Sequence, residues 1–140
     1  MNKDFSIKES AQRTLSLEAE AVSNLLNYID EDFEAAVNTI LKSSGRVVFT
    51  GIGKSANIAN KLVATFNSTG TPALFMHAAD AIHGDLGIVQ QDDVVICISK
   101  SGNSPEIKAL IPLVKSMGNL LIGMVGNPEG FLALKADLVV

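Results

Sequence analysis

The chain has 140 residues, enough for one domain with a real core, and at 47% hydrophobic and 19% charged it is globular rather than disordered. A net charge of −4 argues against nucleic acid or an anionic membrane surface as the main partner, and no apolar run approaches the roughly 20 residues of a membrane-spanning helix. The single cysteine, Cys97, has no internal disulfide partner and no cationic start leads into an apolar stretch, so a reducing, cytoplasmic setting without a secretory signal is expected.

Residues 7–42 are helical in pattern: Ile7, Ala11, Leu15, Ala19, Val22, Leu26, Ile29, Phe33, Val37, Ile40 and Leu41 recur at three- and four-residue steps. A break near Asp30-Glu31-Asp32 predicts two helices, and Gly45 ends the second. Val47 to Thr50 reads as a strand, and Gly51-Ile52-Gly53 turns the chain into a helix from about Ser55 to Asn67. After the turn at residues 68–72, Ala73 to Met76 is the second strand, and residues 78–91 form a loop with one short helix. The third strand, Val94 to Ile98, is apolar throughout, as a strand buried on both faces must be. A helix from Ser104 to Met117, a strand from Leu120 to Val125, a short helix after Asn127-Pro128-Glu129-Gly130 and a last strand opening at Asp137 complete the series.

Strands alternating with helices predict an α/β fold with a parallel sheet and right-handed crossovers. The expected architecture is a doubly wound five-stranded sheet in the order 2-1-3-4-5, flavodoxin-like and flanked by helices, with residues 7–42 as N-terminal helices and residues 46–140 as the sheet core of one domain, 1–140. The switch point of that order falls between strands one and three, so the loops after Gly51 and Ile98 meet at one crevice. The sequence stops inside an apolar strand, so a truncated C-terminus is expected.

The densest chemistry lies in Ser99-Lys100-Ser101-Gly102-Asn103-Ser104. Three serines and a glycine stand where a strand ends and a helix begins, with Pro105 in the first turn, where its missing N–H does no harm. Hydroxyls beside the free N–H groups and partial positive charge of a helix N-terminus form a phosphate cradle. The plain alternative is a capped strand–helix turn, since serine is a favoured N-cap residue. Three serines within six residues, with no arginine and one lysine, Lys100, favour a small phosphorylated ligand held by neutral donors.

Gly51-Ile52-Gly53-Lys54-Ser55 is no Walker loop, because the required early glycine position holds Val48. It fits G-x-G-x-x-A through Ala56, but where a dinucleotide ribose needs an acidic residue after the second strand stand Met76-His77, with Asp80 only later, so cofactor binding stays open as a weak alternative. Its glycines bring backbone close to something. Lys54, at the crevice rim, is either a solvated lysine or a stabiliser of phosphate or oxyanion charge. His83, in Ala81-Ile82-His83-Gly84-Asp85-Leu86-Gly87, is either a loop-fixing residue or a proton carrier. Glu106 suits the helix dipole and also stands beside the serines. His77, His83 and Cys97 match no metal-ligand spacing, so no metal is expected. Cys97, buried among Val and Ile, is a poor nucleophile. Glu129 and Asp137 read as surface residues.

Four segments together resemble the sugar isomerase (SIS) domain, and within it the arabinose-5-phosphate isomerase family. They are Gly51 to Ser55, Ala64 to Pro72, His83-Gly84-Asp85-Leu86-Gly87 and Ser99 to Ile107, in the family's order and across nearly the whole chain. The resemblance implies aldose–ketose isomerisation of a pentose phosphate, arabinose 5-phosphate to ribulose 5-phosphate, in Kdo and lipopolysaccharide or capsule biosynthesis, with no redox cofactor. It places Lys54, His83 and Glu106 on catalytic positions, and Gly53, Ser55, Ser99, Ser101 and Ser104 on substrate- and phosphate-binding positions. It implies a homo-oligomer, a dimer or tetramer, with a phosphorylated sugar as the only other partner. Lys100 stands where the family usually has Asn, and Asn103 where an acidic or polar residue is common. In the family, further catalytic Glu and His residues and a Ser/Thr-rich phosphate-binding segment lie beyond the point that matches Val140, as do the paired CBS domains that many members carry, so this segment alone is expected to be weakly active or inactive. The other reading is a non-catalytic SIS regulator that senses a sugar phosphate.

Overall fold

The computed structural model describes residues 6–140, which fall into two compact units, one ending at Glu31 and the other spanning Asp32–Val140. Residues 1–5, counted within the domain from sequence, lie outside the described residues.

The first unit is α1 (Ile7–Asn24) with a 3-10 turn at Leu25–Tyr28. A capping box starts α1: the Glu9 N–H donates to Ser6 Oγ at 3.2 Å, and the Ser6 N–H donates to Glu9 Oε2 at 2.9 Å. Two of the helix's otherwise orphaned donors are thereby satisfied. No residue of α1 is buried; Ile7, Leu15, Val22 and the following Leu26 are all exposed.

The second unit is the sheet and its helices: α2 (Glu31–Lys42), β1 (Val47–Gly51), α3 (Lys54–Ser68), β2 (Ala73–His77), α4 (Ala78–Ala81), β3 (Val94–Ser99), α5 (Pro105–Ser116), β4 (Leu121–Val125), α6 (Phe131–Lys135) and β5 (Leu138–Val139). All pairings are parallel and the order is β2-β1-β3-β4-β5, as the alternation of elements predicts. β1 is central to the register, with Thr50 opposite Met76 on one side and Cys97 on the other. Every residue of β1 and β3 is buried.

Side chains of successive strand residues leave on opposite faces, and each face meets its own helices. Val48, Met76, Val95, Cys97 and Leu121 pack with Ala78 and Ala81 of α4, Ile107, Leu110, Ile111 and Val114 of α5, and Leu132 of α6. Val47, Phe49, Val94, Ile96, Ile98 and Ile122 pack with Ala36 and Ile40 of α2 and Ala59, Leu62 and Phe66 of α3. Phe49 and Phe66 meet edge to face at 5.0 Å. Thus α2 joins the sheet through buried Ala36. Burial in β3 pushes the Cys97 thiol up to about 12, consistent with an unreactive core residue.

β5 is assigned to Leu138–Val139, shorter than the sequence pattern predicts, although the Asp137 N–H still donates to the Leu121 carbonyl at 2.8 Å. Asp137 Oδ2 accepts the Leu121 N–H at 2.8 Å, and its other oxygen pairs with Lys115. Asp137 is exposed, yet it ties α5 to the start of β4.

A denser tie closes the opposite edge of the sheet from the strand carboxyl ends. Arg46, just before β1, bonds the buried Asp93 carboxylate through Nη2 at 2.6 Å, Nε at 3.2 Å and its own backbone N–H at 2.8 Å. The Gln90 N–H adds a bond to Asp93 Oδ2 at 2.9 Å, and Arg46 Nη2 also donates to the Ile88 carbonyl at 2.9 Å. Buried Asn119 donates to the carbonyls of Gln90 and Asp93 at 2.7 and 2.9 Å. The loop that enters β3 is therefore clamped to the starts of β1 and β4.

Candidate active site

The site grows from the carboxyl ends of β1, β3 and β4. At the first, Gly51 lies so close to its neighbours that a Cβ there would meet the Ile98 carbonyl oxygen at 3.1 Å. Gly53 then takes φ 58 and ψ −126, a backbone conformation that an L side chain rarely adopts, and α3 starts at Lys54. The first glycine permits close strand–helix packing and the second aims the helix N-terminus.

At the end of β3, buried Ser99 accepts the Gly102 N–H on Oγ at 3.2 Å, and Ser101 Oγ accepts the Asn103 N–H at 3.2 Å. Each hydroxyl keeps its own hydrogen to donate. Ser104 occupies the N-cap position of α5 but makes no side-chain capping bond, so it does not do the work that a plain capped turn requires of it. Pro105 begins the helix, and Glu106 follows in the first turn.

The loop after β4 is fastened to this serine loop. The Gly126 N–H donates to the Lys100 carbonyl at 3.1 Å, the Leu132 N–H to the Gly102 carbonyl at 3.0 Å, and the Phe131 N–H to Asn103 Oδ1 at 3.3 Å. Gly130 makes this possible, since a Cβ there would lie 2.5 Å from the Ser101 carbonyl oxygen.

These loops enclose a cavity of about 460 Å³ walled by Ile52, Ser55, Ser99, Lys100, Ser101, Ser104, Gly126 and Asn127. Segments far apart in sequence thus meet at the switch point, which is where this topology puts ligands. The four candidate serines share one wall. Gly53, Lys54, His83 and Glu106 are not part of that wall. Lys54 immediately precedes Ser55 in the first turn of α3, and Glu106 lies two residues after Ser104 in α5. His83 sits exposed between α4 and the 3-10 turn Asp85–Ile88. The sequence reading did not single out Ile52, Gly126 or Asn127; residues 126–130 read simply as the turn into α6. The signal was topological, because β4 is the neighbour of β3 in the expected order. His77 Nδ1 lies 3.7 Å from Asp80 Oδ2. Among the described residues no three His, Cys, Asp or Glu side chains converge on a metal site, and no helix is long and apolar enough to cross a membrane.

Comparison with known proteins gives this geometry a family. Residues 40–140 match the SIS domain. An arabinose 5-phosphate isomerase, KdsD, of Pseudomonas aeruginosa is 47% identical over 138 residues, which cover 99% of this chain and 42% of the relative. The chain therefore spans about two fifths of that protein's length. Among solved structures, an Escherichia coli CFT073 protein, c3406, in complex with arabinose 5-phosphate is 40% identical with a TM-score of 0.82, covering 97% of this chain and 74% of that one. A putative phosphosugar isomerase involved in capsule formation from Bacteroides fragilis is 38% identical with a TM-score of 0.91, covering 96% and 72%. With its sheet order, its serine-walled cavity and a match over most of its length, the chain belongs to the SIS-domain family.

Proposed function

We propose that this chain forms the sugar-phosphate-binding domain of an aldose–ketose isomerase that interconverts arabinose 5-phosphate and ribulose 5-phosphate. The observation that carries the reading is the cavity at the switch point, whose wall holds four serines and a lysine but no carboxylate. Such a wall suits an anionic, hydroxylated ligand: hydroxyl donors and the N-termini of α3 and α5 face the phosphate, and the remaining volume takes a pentose. The names of the relatives support the same substrate class. The resemblance connects this activity to Kdo synthesis for lipopolysaccharide or capsule, in the cytoplasm.

The chemistry requires a base for the C2 proton, a carrier for the O1 and O2 protons and stabilisation of a cis-enediol. Lys54 supplies positive charge beside the enediolate. His83 shuttles a proton or assists ring opening, and Glu106 binds sugar hydroxyls or acts as a base. No redox cofactor enters this scheme.

Titration calorimetry with arabinose 5-phosphate tests the cavity directly. Ser101→Ala is expected to weaken binding by roughly tenfold or more, since a hydrogen bond to a charged group contributes about 1.5–3 kcal/mol. Its circular dichroism should match that of the wild type, because Ser101 is exposed. Unchanged affinity would remove the phosphate from this wall.

The exposed apolar residues of α1, Ile7, Leu15 and Val22, support an assembled protein, a dimer or tetramer with helices of residues 7–42 at the interface. Light scattering at micromolar concentration is expected to give at least twice the chain mass, and a monomer there would contradict the proposal.

A further inference from the structure

The cavity wall has one charged side chain, and it belongs to a residue with no assigned role. Lys100 lies between Ser99 and Ser101, is exposed, and has no ion-pair partner among the described residues. We propose that Lys100 is the phosphate anchor of this site and sets its preference for a phosphorylated over an unphosphorylated sugar, a proposal that rests on the sugar-phosphate reading of the cavity.

Three features support the assignment. First, the root of the side chain is fixed on both sides. Ser99 is buried at the end of β3, and the Lys100 carbonyl accepts the Gly126 N–H at 3.1 Å. Second, the start of the aliphatic stem is confined. A Cβ on Gly126 would lie 3.3 Å from Lys100 Cγ, so the first part of the stem runs close to a glycine where a larger residue would crowd it. Third, the other donors of the wall are neutral. Serine hydroxyls and helix N–H groups orient phosphate oxygens, but they do not balance a ligand charge of about −1.5 to −2 near neutral pH. Lys100 is the one cationic residue of that lining, and no carboxylate in it competes for the charge. The consequence is a site that discriminates by charge as well as by shape. An unphosphorylated pentose keeps the hydroxyl contacts but loses the ion pair.

The test is calorimetric titration of this chain and of Lys100→Met and Lys100→Arg, with arabinose 5-phosphate and inorganic phosphate as probes, at low and high salt. For Lys100→Met, arabinose 5-phosphate affinity is expected to fall about tenfold at low salt, with a shallower dependence on ionic strength, because the screened charge pair is gone. Lys100→Arg is expected to retain affinity within a few-fold, since it keeps the charge. Thermal midpoints of both variants should match the wild type. If the wild type binds arabinose 5-phosphate and Lys100→Met binds it equally well with the same salt dependence, the anchor is overturned while the sugar-phosphate reading stands. Equal weakening in Lys100→Met and Lys100→Arg overturns it too, because charge would then not be the cause. Lys100-dependent binding of inorganic phosphate without any binding of arabinose 5-phosphate keeps the anchor and removes the pentose reading. A wild type that binds neither probe overturns both.

Discussion

Asp93→Ala is expected to destabilise the sheet unit by about 2–3 kcal/mol, the cost of losing hydrogen bonds to a buried carboxylate and of leaving backbone donors unsatisfied, while the part-exposed Arg46 is left to solvent. The Asp93 side chain is fully buried, and its two oxygens accept from Arg46 Nε, Nη2 and backbone N–H and from the Gln90 N–H. Removing the carboxylate costs the guanidinium its partner, orphans the Arg46 and Gln90 backbone donors and loosens the loop before β3. Asp93→Asn keeps the shape but loses the charge, and should fall between the two. The same group gives the fold an acid limit. Burial alone would push the Asp93 carboxyl up, but the Arg46 side chain and the two backbone donors outweigh it and hold the group below its ordinary value. A depressed carboxylate contributes stability that is fully present above its unfolded value, near pH 4, and is lost as pH falls through the lower folded value. Wild-type stability should therefore decline below about pH 4, and the Asp93→Ala chain should decline less steeply there. Urea titrations followed by circular dichroism measure both effects. A loss below about 1 kcal/mol in Asp93→Ala would mean that the clamp is spectator chemistry.

Lys54→Met and His83→Ala are each expected to slow conversion of arabinose 5-phosphate by about 10²–10⁴-fold, the range for losing a positioned charge or proton carrier. The measurement belongs in a chimera that joins this chain to the remaining length of the Pseudomonas aeruginosa relative, since the chain spans 42% of that protein. The unfused chain is expected to turn over little, because catalytic groups that act as a unit fail together when part is absent. A residue acting on the enediolate lowers kcat with KM little changed, whereas the Ser101→Ala change should raise KM. Turnover within tenfold of the wild type would take Lys54 or His83 out of the chemistry. A chimera that binds the sugar phosphate tightly but never converts it would favour the sensor reading.

What the sequence disclosed followed from repeated, one-dimensional signals. β3 is legible because a parallel strand buried on both faces must be apolar throughout, and Val94 to Ile98 is. The order of the sheet and the meeting of Ser55 with Ser99, Ser101 and Ser104 followed from topology alone. What stayed hidden depends on pairings across sequence. Nothing local marks Asp93 as the centre of a clamp, because its partners Arg46 and Asn119 lie 47 and 26 residues away. Asp137 looks like an ordinary surface acid until Leu121 and Lys115 converge on it. Gly126 and Gly130 look like turn residues, and only the three-dimensional packing shows that they let one loop lie against another.

Cys97 offers a built-in clock for the opening of the core. The thiol is 1% exposed in β3, opposite Thr50 of β1 and Gly123 of β4, and its burial disfavours the reactive thiolate. An alkylating reagent can reach the sulfur only when the helices packed over this face of the sheet, α4, α5 and α6, lift away, so the labelling rate of the native protein counts how often this core opens. Because Ser104 at the N-cap of α5 is part of the cavity wall, a ligand held there is expected to slow the clock as its occupancy rises. One native cysteine, with no engineered label site, thus reports in a single trace on fold integrity and on ligand capture.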